Sequence, residues 1–350
     1  MAEPGGRFTF GLAIGNEEPF GPMLERVRRL DAGDAVDRLW IADERFRRDP
    51  WVTLGVLAAS TKRLGLATAV TDPYIRHPAL TATAMATVAD AAGGRDAILG
   101  LGAGASGFGP LGIERPAPAV AIRETIELSR RLWSEREAFT YEGRQVRFRD
   151  SRMGFLPDRT IPIWIAGRGP QILELAGELA DGVLVASFVD GPLLEHSLAR
   201  VTAGEARRRP GLRPLERGSW AYVSIDPDRA AARDAVRTGI AVALWGSRPI
   251  VAELGIELPA ELMQLMAETA YSVEPEVIGR AAALVPESLI DDCSIAGTAE
   301  ECAAKVRRLV GRGFGHLAAW LFPTPGRDID AMVDDYVHDV VPRVRSAGRL

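Results

Sequence analysis

Cysteine is nearly absent from this chain: two among 350 residues, Cys293 and Cys302. So few exclude a disulfide framework or a thiol-ligated metal site and point to a reducing, cytoplasmic setting. Histidine is almost as scarce. The four, His77, His196, His316 and His338, lie too far apart to form a metal-binding pair on one helix or turn, so no metal is expected. No apolar run reads as a signal or membrane segment. Arginine and glutamate are spread evenly along a chain of net charge −5, which leaves no basic stripe for nucleic acid or an anionic membrane. Strictly spaced motifs are missing as well. There is no G-x-S-x-G elbow, no G-x-x-x-x-G-K-[ST] loop and no G-x-G-x-x-G after the first strand, so acyl transfer, P-loop chemistry and a Rossmann dinucleotide site lose support.

What is present is a repeating alternation. Short apolar or β-branched runs occur at 8–14, 37–43, 64–70, 96–102, 161–167, 181–187, 220–226 and 316–322. Between them lie amphipathic stretches such as 78–91, 119–133, 170–180 and 298–311. The strands are apolar on both faces, as burial under a helical shell requires. Eight such units make a (β/α)8 barrel, an α/β fold of roughly 250 residues. The remainder of this single domain, 1–350, goes into insertions near 134–160, with the hairpin-like "FTYEGRQVRF", and a helical one near 227–295.

In a closed parallel barrel the chemistry sits where the strands end. The residues there are Asp43 and Glu44 after the second run; Thr71, Asp72, Tyr74, Arg76 and His77 after the third; Gly102, Gly104 and Ser106 after the fourth; Gly167, Arg168, Gly169 and Pro170 after the fifth; and Ser187 after the sixth. In "GRGP" a proline stands where a helix should start. Backbone N–H groups, the positive helix end and a guanidinium then face one spot, which suits a phosphate. Asp72-Pro73 reads as a turn initiator, and Arg76 and His77 as either site residues or caps. Trp40, Trp164 and Trp320 lie within strands and read as core.

Four blocks carry a family resemblance: "LWIADE" (39–44), "TDPYIRHPALTATAMATVADAAGGRDAILGLGAG" (71–104), "IPIWIAGRGPQILELAGELADGVLV" (161–185) and the region near 313–323. The chain resembles the luciferase-like flavin- or deazaflavin-dependent oxidoreductases, and most of all their methylenetetrahydromethanopterin reductase branch. The resemblance implies a barrel with insertions, a homodimer, and either coenzyme F-420 (8-hydroxy-5-deazaflavin) or FMN bound at the strand ends. It also implies a cis peptide at Ala69–Val70 forming a bulge under the ring. Asp43 would face the ring's polar edge, with Thr71, Gly102, Ala103, Gly104, Ala186 and Ser187 beside the cofactor.

Glu44 stands where many relatives have histidine; it would deliver a proton, or else pair with Arg45 or Arg47. His77 is a further catalytic candidate. Relatives that oxidise a sugar phosphate carry glutamate, threonine and lysine where this chain has Ala105, Ala186 and Val189, so that role is not implied. "GASGFGPLGI" (104–113) matches the pterin-reductase type, whereas 227–295 shows no match to a pterin pocket. The activity implied is hydride transfer between reduced F-420 and an electrophilic C=N, C=O or C=C carbon. An FMN-dependent monooxygenase and a non-catalytic flavin-binding relative are the alternatives.

Overall fold

The computed structural model describes residues 7–104, 108–269 and 274–346. Its strands are β1 (Thr9–Ile14), β2 (Arg38–Ile41), β3 (Gly65–Thr68), β4 (Ala97–Leu101), β5 (Phe139–Glu142), β6 (Arg147–Ser151), β7 (Ile163–Gly167), β8 (Gly182–Ala186), β9 (Glu216–Ile225), β10 (Ser294–Gly297) and β11 (His316–Leu321). Eight of them pair in parallel in the order β9-β11-β1-β2-β3-β4-β7-β8, and β8 pairs back onto β9 to close the barrel. These eight are the eight apolar runs. The helices follow the sequence equally closely, at Pro78–Ala91, Pro118–Leu132, Pro170–Leu179 and Ala299–Gly311. Proline opens the first three, where its missing N–H is not needed and its fixed φ suits the first turn. A capping box between Thr298 and Glu301 opens the fourth.

The lower barrel is filled by two indoles. Trp40 and Trp164 are fully buried with ring centroids 5.5 Å apart. Glycines opposite them make the room: a side-chain carbon on Gly182 would lie 2.2 Å from Trp164, and one on Gly11 2.8 Å from Trp40. Trp40 Nε1 donates to His316 Nε2 at 2.8 Å, and Thr9 Oγ1 holds the other ring nitrogen at 2.8 Å. Burial pushes the His316 pKa well down, which keeps this ring a neutral member of the core. The barrel is thus plugged at its base, and only its upper end can hold a ligand.

The stretches 134–160 and 227–295 hold the following elements, one of them a strand that the sequence did not suggest. Residues 139–151 make the antiparallel β5–β6 hairpin, and among the described residues five helices lie within 229–293. The end of the second insertion, however, is a strand. β9 is ten residues long; β8 pairs with Glu216–Trp220, and β10 takes Tyr222–Ile225 on the same side. Without β10 the outer half of β9 would present an unpaired edge. Four residues, "SIAG", directly after a helix gave too little pattern to read as a strand.

Candidate active site

β3 leaves its ladder before its apolar run ends. Thr68 replaces a backbone pair with its side chain: its hydroxyl donates to the Gly100 carbonyl at 2.8 Å and accepts from Gly100 N at 2.9 Å. The next peptide but one, Ala69–Val70, is cis, and the chain rejoins β4 through a bridge between Thr71 and Leu101. The bulge presses on β4 closely enough to dictate its composition. A side-chain carbon on Gly100 would sit 2.0 Å from the Thr68 carbonyl oxygen, and one on Gly102 2.5 Å from a Val70 methyl. Gly102 therefore serves packing first.

The acids after β2 lie across from this bulge. Asp43 is half-buried and accepts a 2.7 Å hydrogen bond from the Thr71 hydroxyl. Burial pushes its carboxyl above the ordinary value, and Asp72 nearby adds to the shift, while Thr71 and Arg45 oppose it. Glu44 does not pair with Arg45 or Arg47: Arg45 is bonded to Asp72, and Arg47 reaches Glu17 at 3.0 Å. Burial and the neighbouring Glu17 push the Glu44 carboxyl up, the direction a proton donor needs.

The loop after β3 is held by its own polar groups. Asp72 accepts from the backbone N–H groups of Tyr74 and Ile75 at 2.7 and 3.1 Å, the turn expected of Asp-Pro. Its carboxylate also forms a buried ion pair with Arg45. His77 caps the helix Pro78–Ala91: Nδ1 accepts from Ala79 N at 3.2 Å, and Nε2 bonds the Arg147 carbonyl on β6 at 2.9 Å. Both ring nitrogens are thereby engaged, so the geometry makes His77 an anchor between loop, helix and hairpin, and leaves no free nitrogen for proton transfer.

After β4, Gly104 adopts φ +67, and a side-chain carbon there would meet the Phe108 ring at 2.6 Å. Arg45 and Arg115 lie over that ring at 4.1 and 4.7 Å. Arg115 also donates to the carbonyls of Gly104 and Ala103, at 2.5 and 3.4 Å. Ser106 lies outside the described residues.

On the other side of the mouth, Gly167 ends β7 and Gly169 precedes the helix Pro170–Leu179 without any side-chain cap. Gly167 is also required by packing, since a side-chain carbon would lie 2.6 Å from Ile172. Arg168 reaches Ser187 Oγ at 3.4 Å and has no acidic partner among the described residues. Ser187 itself holds φ +65, a left-handed conformation uncommon outside glycine and typical of functional loops, directly after the buried Ala186. The structure thus brings a carboxylate pair, a bulged strand of small residues, an uncapped helix start and an unpaired guanidinium around one opening.

The family model described as luciferase-like monooxygenase matches residues 5–316. The chain belongs to that family. Among relatives of this luciferase-like chain, the 5,10-methylenetetrahydromethanopterin reductase of Methanolobus tindarius is 32% identical over 315 residues, 89% of this chain and 93% of the relative. The F-420-dependent glucose-6-phosphate dehydrogenase of Beutenbergia cavernae is 32% identical over 86% of this chain and 83% of its own. Among solved structures, the coenzyme F-420-dependent tetrahydromethanopterin reductase of Methanopyrus kandleri superimposes with a TM-score of 0.78 at 26% identity, covering 97% of this chain and 99% of that one.

Two parts of this luciferase-like mouth were not evident in the sequence. The Arg45–Asp72 pair and its packing on Phe108 join residues from three loops, and nothing local marks them. Trp320 was read as core, but it and Trp220 are only half-buried, with centroids 5.5 Å apart near the opening. The alternation along β9 from Gly218 signals that Trp220 faces inward; its height in the barrel is what the sequence does not give.

Proposed function

We propose that this protein is an oxidoreductase that uses coenzyme F-420 and moves hydride between it and an electrophilic C=N, C=O or C=C carbon of a small-molecule substrate. The observation that carries the reading is the small-residue lining of one half of the mouth. The inward positions Gly15, Ala69, Gly102, Ala166 and Ala186 carry no side chain larger than a methyl group. Arg168, Ser187 and the uncapped helix start lie at its edge. A flat ring over the small residues and a phosphate-bearing tail at the helix start fit this arrangement. The F-420-dependent activities named for the relatives support the same choice.

When bound, F-420 supplies or accepts the hydride. The chain's own residues do the remainder. Ala69, Val70 and Thr71 would hold the ring, and Asp43, steadied by Thr71, would meet its polar edge. Gly104 and Ala103, fixed by Arg115, border it. Glu44 hands a proton to the heteroatom of the acceptor that has received hydride. Protonated Glu44 is present below its raised pKa and lost as pH rises through it. Wild type should therefore lose kcat on the alkaline side, and Glu44→Gln should show a low kcat without that limb. An unchanged limb in the variant would assign the proton to another group.

Titration of the purified protein with F-420 and with FMN, followed by chromophore fluorescence, tests the reading. Tight binding of F-420 with FMN at least tenfold weaker is the expected result; preference for FMN would favour a flavin monooxygenase instead.

The mature assembly is proposed to be a cytoplasmic homodimer without nucleic-acid or membrane partners. Phe46, Val52 and Leu80 are 73%, 59% and 59% exposed, and the last two lie in the first turns of helices that pack on each other, Pro50–Ser60 and Pro78–Ala91. Large apolar side chains exposed at the starts of two neighbouring helices call for a cover. Among the described residues no helix is long and apolar enough to cross a membrane. Light scattering should give twice the chain mass, falling to the monomer in a Val52→Glu/Leu80→Glu variant; a monomeric wild type would remove the dimer.

A further inference from the structure

The barrel mouth has two unlike halves. At the upper ends of β1, β3, β4, β7 and β8 the inward positions, Gly15, Ala69, Gly102, Ala166 and Ala186, are glycine or alanine. Over β9 and β11 they are Trp220, Tyr222, Trp320 and Phe322, following inward from Gly218 and His316 by strand alternation. Trp220 and Trp320 meet at 57° and form a shallow V, and Tyr222 and Phe322 extend it outward edge to face at 5.4 Å. Phe322 is backed by Gly239, where a side-chain carbon would lie 2.7 Å from its ring, so the wall cannot retreat toward that helix.

Buried indoles ordinarily find an acceptor for their N–H. Trp40, Trp133 and Trp245 do so here, whereas the indole N–H groups of Trp220 and Trp320, like those of Trp51 and the barrel-filling Trp164, have no hydrogen-bond partner among the described residues; Trp220 and Trp320 are the two of these on the β9–β11 wall of the mouth. The charged groups nearest the end of β9 are committed elsewhere: Asp226 accepts from Thr324 at 2.7 Å, and Arg327 is bonded to Asp335 at 2.7 Å. The wall therefore offers π faces and two N–H donors, and the unpaired guanidinium beside it, Arg168, which reaches Ser187 next to Trp220, is the group already assigned to the cofactor phosphate.

We infer that Trp220 and Trp320 bind the substrate and set its class: a flat, conjugated, non-phosphorylated acceptor that lies between this wall and the cofactor. The inference rests on the F-420 reading only in placing the cofactor over the small-residue half. A conjugated electrophile suits the site because its electron-poor face stacks on an electron-rich indole, while its carbonyl or ring nitrogen can accept from an indole N–H. A small ketone would leave most of the wall against water, and a sugar phosphate would bring a second anion to a face whose unpaired guanidinium, Arg168, is already given to the cofactor phosphate.

The test uses the F-420-loaded protein and three probes: coumarin as a flat conjugated acceptor, cyclopentenone as a small acceptor of the same reaction type, and 6-phosphogluconate as a phosphorylated one. Binding is read from quenching of tryptophan emission, and the cofactor's own Kd is measured in parallel. Coumarin should bind at least tenfold more tightly than either other probe. Trp220→Leu and Trp320→Leu should each weaken it about tenfold, the scale of a lost aromatic contact with its burial. Trp320→Phe should recover most of that loss, and the F-420 Kd should stay constant in all three variants. Equal coumarin binding in wild type and both leucine variants, preference for 6-phosphogluconate, or a change in F-420 affinity instead of probe affinity would each overturn the assignment. Wild type that fails to bind F-420 yet still binds coumarin through the tryptophans would instead remove the cofactor reading alone.

Discussion

Asp43→Asn should lower kcat by about a hundredfold while the protein keeps its thermal midpoint and its cofactor Kd within about threefold, the scale seen when one preorganised electrostatic partner is lost from a buried site. The substitution is nearly isosteric. The 2.7 Å hydrogen bond from Thr71 has an oxygen to go to in either side chain, so the link between β2 and the bulge survives. What disappears is a negative charge in a half-buried position, where burial already holds the carboxyl above its ordinary pKa. With the ring placed as proposed, a charge there would act where electron density shifts during hydride transfer, and a water-poor site would make its absence costly. Steady-state kinetics at fixed pH give the answer. Full activity with unaltered cofactor affinity would mean that the ring does not lie above β2 and β3.

Arg168→Ala should produce the other large effect, in binding. A charge-assisted contact between a guanidinium and a phosphate contributes roughly 1.5–3 kcal/mol, which corresponds to a loss of about 10- to 150-fold in F-420 affinity. Folding stability should barely change, because the structure gives Arg168 only a long 3.4 Å contact with Ser187 and no acidic partner among the described residues. The two readouts diverge more sharply for Arg45, whose buried pair with Asp72 ties three loops together. Removing either member would leave a buried charge without its partner and damage the fold itself. An Arg168→Ala protein that binds F-420 as tightly as wild type would move the phosphate away from the "GRGP" turn.

The contrast between those arginines shows what the sequence could and could not convey. The eight barrel strands were legible because each is apolar on both faces and bounded by helical periodicity, and their observed ends fall within a few residues of the runs. β3 stops at Thr68 rather than 70 because the bulge takes over. β9 begins at Glu216, four residues before its apolar run, because its first residues are polar and partly exposed. The uncapped helix start at Gly169 and the acids after β2 were evident from residue type and place alone. Pairings between loops were not. A histidine after a strand reads the same whether it faces substrate or caps a helix, and only the distances to Ala79 and Arg147 decide for the cap. Gly102 likewise reads as a cofactor glycine until the nearby Val70 methyl shows that no larger residue fits.

The most direct test of hydride transfer with F-420 is an anaerobic assay that follows the return of oxidised-deazaflavin absorbance as reduced F-420 is mixed with the protein and an unsaturated acceptor. Oxidation that requires both protein and acceptor and proceeds at the same rate without oxygen is the expected result. Turnover that occurs only with oxygen, and with reduced FMN in place of F-420, would contradict it.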